Sequence, residues 1–162
     1  MIDETDPDAF IRRYGALFEH SPWVVMRAAA RLPLGGVHAG LMAVVHEATP
    51  EDQLKLIRAH PELAGKAAID RTLTAASAAE QASAGLDRLT QEEFDRFHAL
   101  NAAYGARFGF PFILCVRLTD KAGILAAMER RLDNDRRAEL ATAIDEIGKI
   151  VRLRLQDLED SE

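Results

Sequence analysis

Helix start and stop signals recur along almost the whole chain, and between them the apolar residues repeat at helical spacing. Asp6 or Thr5 can cap a first helix running to about His20. Ser21 before Pro22 reads as an N-cap with proline at the first helical position, opening a second helix to about Arg31. Pro33, Gly35 and Gly36 mark a turn over 32–36, and 37–48 reads as a third helix. Thr49, Pro50 and Asp52 repeat the cap grammar for a fourth, which must end near Ala59 because Pro61 pushes His60 out of the α region. The stretch 63–74 carries Gly65 and no periodicity, and reads as a loop. A short helix over 77–84 stops at Gly85. Thr90, with Glu93 three residues on, opens a long helix to Phe108 that Gly109 closes. Two more helices span 121–132 and 135 to about 158.

One segment breaks the pattern. FGFPFILCV, at 108–116, is aromatic and β-branched, contains Pro111 and is too short for another helix, so it is expected to be extended and buried. The chain holds 28 Ala and 19 Leu against 16 Val and Ile together, a bias toward helix that agrees with the caps. The expected fold is all-α: one domain over 1–162, a bundle of about seven to nine helices around a single short extended segment. A chain of 162 residues buries roughly 70% of its unfolded surface, so neither disulfide nor metal is needed to hold its core.

Charge and targeting signals narrow the function. Twenty Lys and Arg against 26 Asp and Glu leave a formal charge of -6, the opposite of the basic balance that nucleic-acid binding demands. No apolar stretch approaches the roughly 20 residues that cross a bilayer. The start, MIDETDPDAF, lacks the basic-then-apolar order of a secretion signal, and the end, LEDSE, is neither a peroxisomal tripeptide nor a lipidation box. The one cysteine, Cys115, lies in an apolar run and suits a reducing compartment. A cytoplasmic protein with no nucleic-acid and no membrane partner is expected.

Familiar cofactor motifs are missing. Gly35, Gly36 and Gly40 do not form a dinucleotide fingerprint, and no Walker, G-x-S-x-G or HExxH sequence occurs. His20, His38, His46, His60 and His98 have no metal-ligand spacing, so no metal is expected. Trp23, Phe94, Phe97 and Tyr104 fall at helical spacing and are read as core.

Three places could carry chemistry. His60-Pro61, at the end of the fourth helix, sits beside unsatisfied carbonyls that favour a protonated imidazole by about 0.3–1 kcal/mol, which suits a proton donor near neutral pH. The plainer alternative is a surface helix C-cap. Ser77-x-x-Glu80, followed by Gln81, has the spacing of a capping box, and a capped N-terminus also presents free N–H groups to an anion. Arg154 falls at the edge of the apolar stripe Leu140, Ile144, Ile147, Val151, Leu155 and Leu158. It either snorkels to water or stays inside, where it needs an anionic partner.

Together these landmarks resemble the OHCU decarboxylase family of urate breakdown. The resemblance is carried by FEHSPWV (18–24), HPELAGK (60–66), Ser77-x-x-Glu80-Gln81, AGLDRL (84–89), LNAAYGARFGFPFI (100–113) and KIVRLRL (149–155). Glu62, where the family often has Asp, keeps the charge. The resemblance implies decarboxylation of 2-oxo-4-hydroxy-4-carboxy-5-ureidoimidazoline to (S)-allantoin by an all-helical, cofactor-free enzyme, commonly a homodimer, acting on a small-molecule substrate. It implies catalytic roles for His60 (the proton donor), Glu80 and Arg154. It implies substrate contacts from Pro61, Ser77, Glu80 and Gln81, and from the backbone of Phe112, Ile113, Leu114, Cys115 and Val116. The competing possibilities are a catalytically silent helical module that binds a small ligand or a protein, and a relative acting on another ureido acid.

Overall fold

The structure is a computed structural model that describes residues 5–65 and 72–161. Among them are eight α-helices and no strand. They gather into two compact units, one formed by Met1–Ala59 with Gly148–Glu162, the other by His60–Ile147. No helix of the described residues is long and apolar enough to cross a membrane.

The first unit begins with α1, Pro7–Tyr14, capped by the Asp6 carboxylate, which accepts from the Asp8 and Ala9 N–H groups. A 3₁₀ turn, Gly15–Phe18, takes up what the sequence suggested as the end of that helix. Helix α2, Trp23–Ala29, starts one residue later than expected, with Pro22 rather than Ser21 at the cap position and no side-chain cap bond. Its first α-type bond runs from the Met26 N–H to the Pro22 carbonyl. Helices α3, Val37–Glu47, and α4, Pro50–Arg58, follow; the Thr49 hydroxyl caps α4 as its sequence indicates. Phe10, Leu17, Val24, Val25, Leu41, Val45, Leu56 and Ile57 are all buried. The last helix, α8, Arg136–Asp160, adds Val151 and Leu155. Gly148 lets it pass α3 closely: a Cβ there would stand 3.3 Å from the Met42 methyl, and its carbonyl meets His38 Nε2 at 2.8 Å.

The second unit is built from α5, Ala75–Ser83, α6, Gln91–Phe108, α7, Lys121–Arg131, and the start of α8. Helix α6 shows the full capping box: Thr90 Oγ1 accepts the Glu93 N–H at 3.1 Å, and Glu93 Oε1 accepts the Thr90 N–H at 2.9 Å. Gly109 closes it in the left-handed conformation, φ 78°, where a Cβ would clash. Thr90→Ala should therefore cost about 1 kcal/mol, a fall in melting temperature of roughly 2–4 °C by circular dichroism.

After Gly109 the chain runs extended until a 3₁₀ turn, Val116–Leu118. Phe110, Phe112, Ile113, Cys115 and Val116 are buried, as the aromatic and β-branched run led us to expect, with Leu114 and Pro111 half-buried. Tyr104 takes the centre of an aromatic cluster, its ring 4.6 Å from Phe108, 5.9 Å from Phe110 and 5.3 Å from Phe112. Such tilted and edge-on pairs add about 0.5–1.5 kcal/mol each beyond their burial. Of the expected loop over 63–74, Lys66 to Arg71 lie outside the described residues; its two ends are non-helical.

Candidate active site

Helix α5 reads AASAAEQAS, and its cap corrects the sequence reading. Thr74, not Ser77, is the N-cap: its hydroxyl accepts the Ser77 N–H at 3.2 Å. The helix therefore starts two residues earlier than expected, and Ser77 with Glu80 forms no capping box. The reason is local competition. Thr74 offers the same side-chain acceptor one turn upstream, and the alanines that follow extend the helix back to it.

Freed from capping, Ser77, Glu80, Gln81 and Ala84 line up at i, i+3, i+4 and i+7 on one face. Ser77, Gln81 and Ala84 are buried and Glu80 is half-buried, while Ala75, Ala76, Ala78 and Ala79 face solvent. The usual amphipathic order is inverted here. A helix that turns Ala outward and Ser, Glu and Gln inward forgoes apolar burial, and buried polar groups persist only where partners satisfy them.

For Gln81 the partners are visible. Its Oε1 accepts the Ala64 N–H at 3.0 Å, and its Nε2 donates to the Glu62 carbonyl at 3.3 Å. Asn101 of α6 donates to the Leu63 carbonyl between them at 2.9 Å. Three consecutive residues of the HPELAG segment are thus tied by side-chain amides. Ala64 itself is held at φ 53°, a left-handed conformation that costs an L-residue about 1–2 kcal/mol and needs such support. His60 and Pro61, both half-buried, lie immediately upstream of this anchored turn, one residue beyond Ala59, the C-cap of α4.

Helix α5 packs against the 3₁₀ turn Val116–Leu118 that ends the extended segment. Burial pushes the Cys115 thiol above its ordinary value, and the nearby Glu146 and Glu80 carboxylates push it the same way. A hollow of about 590 Å³ also opens beside α5, lined by Ala64, Ala78, Gln81, Ala82, Leu86 and Phe94. Gln81 lines it, whereas Ser77 and Glu80, on the same face of the helix, do not.

Arg154 belongs to the first unit. It does not snorkel: its side chain is 9% exposed, Nη2 meets Glu19 Oε1 at 3.1 Å, and Nη1 donates to the Leu17 carbonyl at 3.3 Å. An anionic partner was required for an inward arginine, and Glu19, within the FEHSPWV stretch, is one.

Other polar residues of the interior had escaped the sequence reading. Glu139 and Glu146 of α8 are buried, Arg131 of α7 likewise, and Asn101 of α6 with them. Glu139 and Glu146 sit seven residues apart on one side of α8, and at about 100° per residue both fall roughly 80–100° beyond the Ile147 edge of the apolar stripe, so helical spacing gave no signal for their burial. Tyr104, read as core, is core with a polar end, its hydroxyl donating to Glu139 Oε1 at 2.5 Å. Burial first, and the Glu139 hydrogen bond second, raise the Tyr104 phenol well above its ordinary value of 10.0. A group whose proton is held more tightly in the folded state contributes fully below its unfolded value. That contribution is lost as pH climbs toward the folded one. Stability should therefore fall as pH rises above about 10, and the loss should shrink in Tyr104→Phe when denaturation midpoints are compared between pH 9 and 11.

Against this geometry, the family model for OHCU decarboxylase matches residues 3–156. The chain belongs to the OHCU decarboxylase family. The 2-oxo-4-hydroxy-4-carboxy-5-ureidoimidazoline decarboxylase of Haloferax volcanii is 42% identical over 166 residues, covering 100% of this chain and 96% of that protein. The crystal structure of an (S)-allantoin synthase superposes with a TM-score of 0.74 at 27% identity, over 94% of this chain and 50% of that one. An OHCU decarboxylase crystallised in the presence of (S)-allantoin shares the fold, with a TM-score of 0.69 at 22% identity over 90% and 95% of the two chains. The family match runs across both compact units.

Proposed function

We propose that this chain is a cofactor-independent carboxy-lyase that converts 2-oxo-4-hydroxy-4-carboxy-5-ureidoimidazoline to (S)-allantoin in urate degradation, working as one functional domain. The observation that carries it is the inverted α5 helix: Ser77, Glu80 and Gln81 turn inward, and Gln81 grips the turn that follows His60.

The substrate supplies its own electron sink. Loss of carbon dioxide breaks the bond from the carboxylate to the hydroxyl-bearing ring carbon. The electron pair left behind forms a double bond to the ureido-bearing carbon, and the ring C=N pair moves onto nitrogen. Protonation of the ureido-bearing carbon on one face, while the hydroxyl-bearing carbon becomes a carbonyl, yields one enantiomer of allantoin. No pyridoxal, thiamine or metal is called for. What remains for the protein is geometry, charge and one well-aimed proton.

In our assignment His60 polarises the reacting centre and delivers the proton, with Pro61 fixing its backbone. Glu80 accepts hydrogen bonds from the substrate hydroxyl or ring N–H, assisted by Ser77. Gln81 and the backbone of Phe112, Ile113, Leu114, Cys115 and Val116 grip the ureido and carbonyl groups. Arg154 orients the anionic end, a role carried over from the family pattern. The buried Cys115 thiol suits the reducing cytoplasm, to which the enzyme is assigned; the homodimer is assigned by family, and sedimentation of the purified protein checks it.

The test is a coupled assay. Urate is converted by the two upstream activities, the protein is added, and circular dichroism is followed. Rapid appearance of one enantiomer is the expected result, because spontaneous decay gives racemic allantoin. A rate and chirality unchanged by the protein would overturn the proposal in favour of a silent binding module.

A further inference from the structure

The second unit holds a buried ion pair that the assignment above leaves unused. Glu139, at 0% exposure, receives three donors: the Tyr104 hydroxyl at 2.5 Å, Arg131 Nε at 2.8 Å and Asn134 Nδ2 at 2.9 Å. Arg131, at 4% exposure, turns its other arm to the extended segment, where Nη1 donates to the Ile113 carbonyl at 2.7 Å. The same guanidinium lies 4.3 Å from the Phe112 ring centroid. Two residues along, Glu146 Oε1 accepts the Cys115 N–H at 3.0 Å.

In an extended chain, the C=O of one residue and the N–H of the residue two further on point to the same side. Arg131 and Glu146 therefore grip one edge of the segment, through Ile113 and Cys115. The Leu114 N–H and C=O turn to the opposite edge, and they take no hydrogen-bond partner among the described residues. Leu114 is half-buried between buried neighbours. A buried ion pair is a poor route to stability compared with apolar packing of the same volume, because desolvating two charges offsets most of their attraction. What such a pair does supply is fixed geometry, and here the geometry it fixes is that of a peptide edge.

We propose that Arg131, locked by Glu139, is a positioning residue for substrate recognition. By holding the Ile113 carbonyl it presents the Leu114 N–H and C=O as a preorganised donor and acceptor pair for a planar ureido group. Arg131 never touches the substrate; it sets the edge that does. This inference rests on the function proposed above, and its test separates the two.

Three variants are compared with wild type for folding, kcat and KM. Arg131→Met with Glu139→Gln replaces the ion pair by a neutral pair of similar shape and frees the Ile113 carbonyl. Glu139→Gln alone leaves Arg131 on Ile113. Expected are a KM raised about tenfold in the double variant with kcat changed far less, and a KM near wild type in Glu139→Gln. A purely structural role would move melting temperatures and leave KM alone, so a folded double variant with wild-type KM overturns the proposal. Should the double variant not fold, Arg131→Lys decides. Its ammonium keeps Glu139 paired but lacks the fork that reaches two acceptors, so an unchanged KM overturns and a raised KM supports. If wild type shows no turnover, the functional reading fails, and calorimetric titration with allantoin reads the edge directly. Binding to wild type that weakens about fivefold or more in the double variant supports the proposal; equal binding, or none to wild type, overturns it.

Discussion

His60→Gln should lose at least a hundredfold, and up to about ten-thousandfold, in turnover while its melting temperature stays within a few degrees of wild type. Glutamine keeps a hydrogen-bonding side chain of similar reach but cannot carry a proton between neutral and charged forms, and general acid–base transfer contributes about that range. The fold should survive because the turn that follows His60 has fastenings of its own. The turn after it is fastened by Gln81 at Glu62 and Ala64 and by Asn101 at Leu63. Those three bonds remain when the imidazole goes. Stopped assays of allantoin formation, with circular dichroism of both the product and the protein, check the two halves separately. Near-normal turnover would remove His60 from the mechanism. Lost turnover together with a collapsed melting transition would mean that the imidazole is part of the scaffold.

How much of this could be read beforehand follows from the range over which each signal acts. Helix caps are decided within four residues, so Asp6, Thr49, Thr90 with Glu93, and Gly109 all announced their roles. Where two capping residues compete within one turn the reading slipped. Thr74 displaced Ser77, and that slip concealed the most informative feature of the site, the polar inner face of α5. The extended segment was legible from its β-branched and aromatic run, but not what grips it. Arg131 and Ile113 are 18 residues apart, Cys115 and Glu146 are 31 apart, and nothing in local periodicity pairs them. Motif resemblance named Gln81 as a substrate ligand. The structure adds that both ends of its amide are already engaged with the HPELAG backbone.

Glu139→Ala should cost about 3–5 kcal/mol, a large share of the roughly 5–15 kcal/mol that holds a domain together. The carboxylate itself is not what makes the loss large. Its removal strands the Arg131 guanidinium, 5% exposed at the side chain, among Phe112, Tyr104 and the extended backbone with no countercharge. It also leaves the Tyr104 hydroxyl and the Asn134 amide without the acceptor they share. The surface pair Arg27–Asp52, with side chains 48% and 33% exposed, makes the control: Asp52→Asn at 3.0 Å from the same kind of guanidinium should cost no more than about 1 kcal/mol. Urea denaturation of both variants gives the comparison. Removing Arg131 as well, as Arg131→Met with Glu139→Leu, should recover much of the Glu139→Ala loss, since no buried charge is then left unpaired. If the double variant is instead as unstable as the two single losses added together, the two side chains are uncoupled. The cluster would then be held by Tyr104, Asn134 and the aromatic packing rather than by its charges.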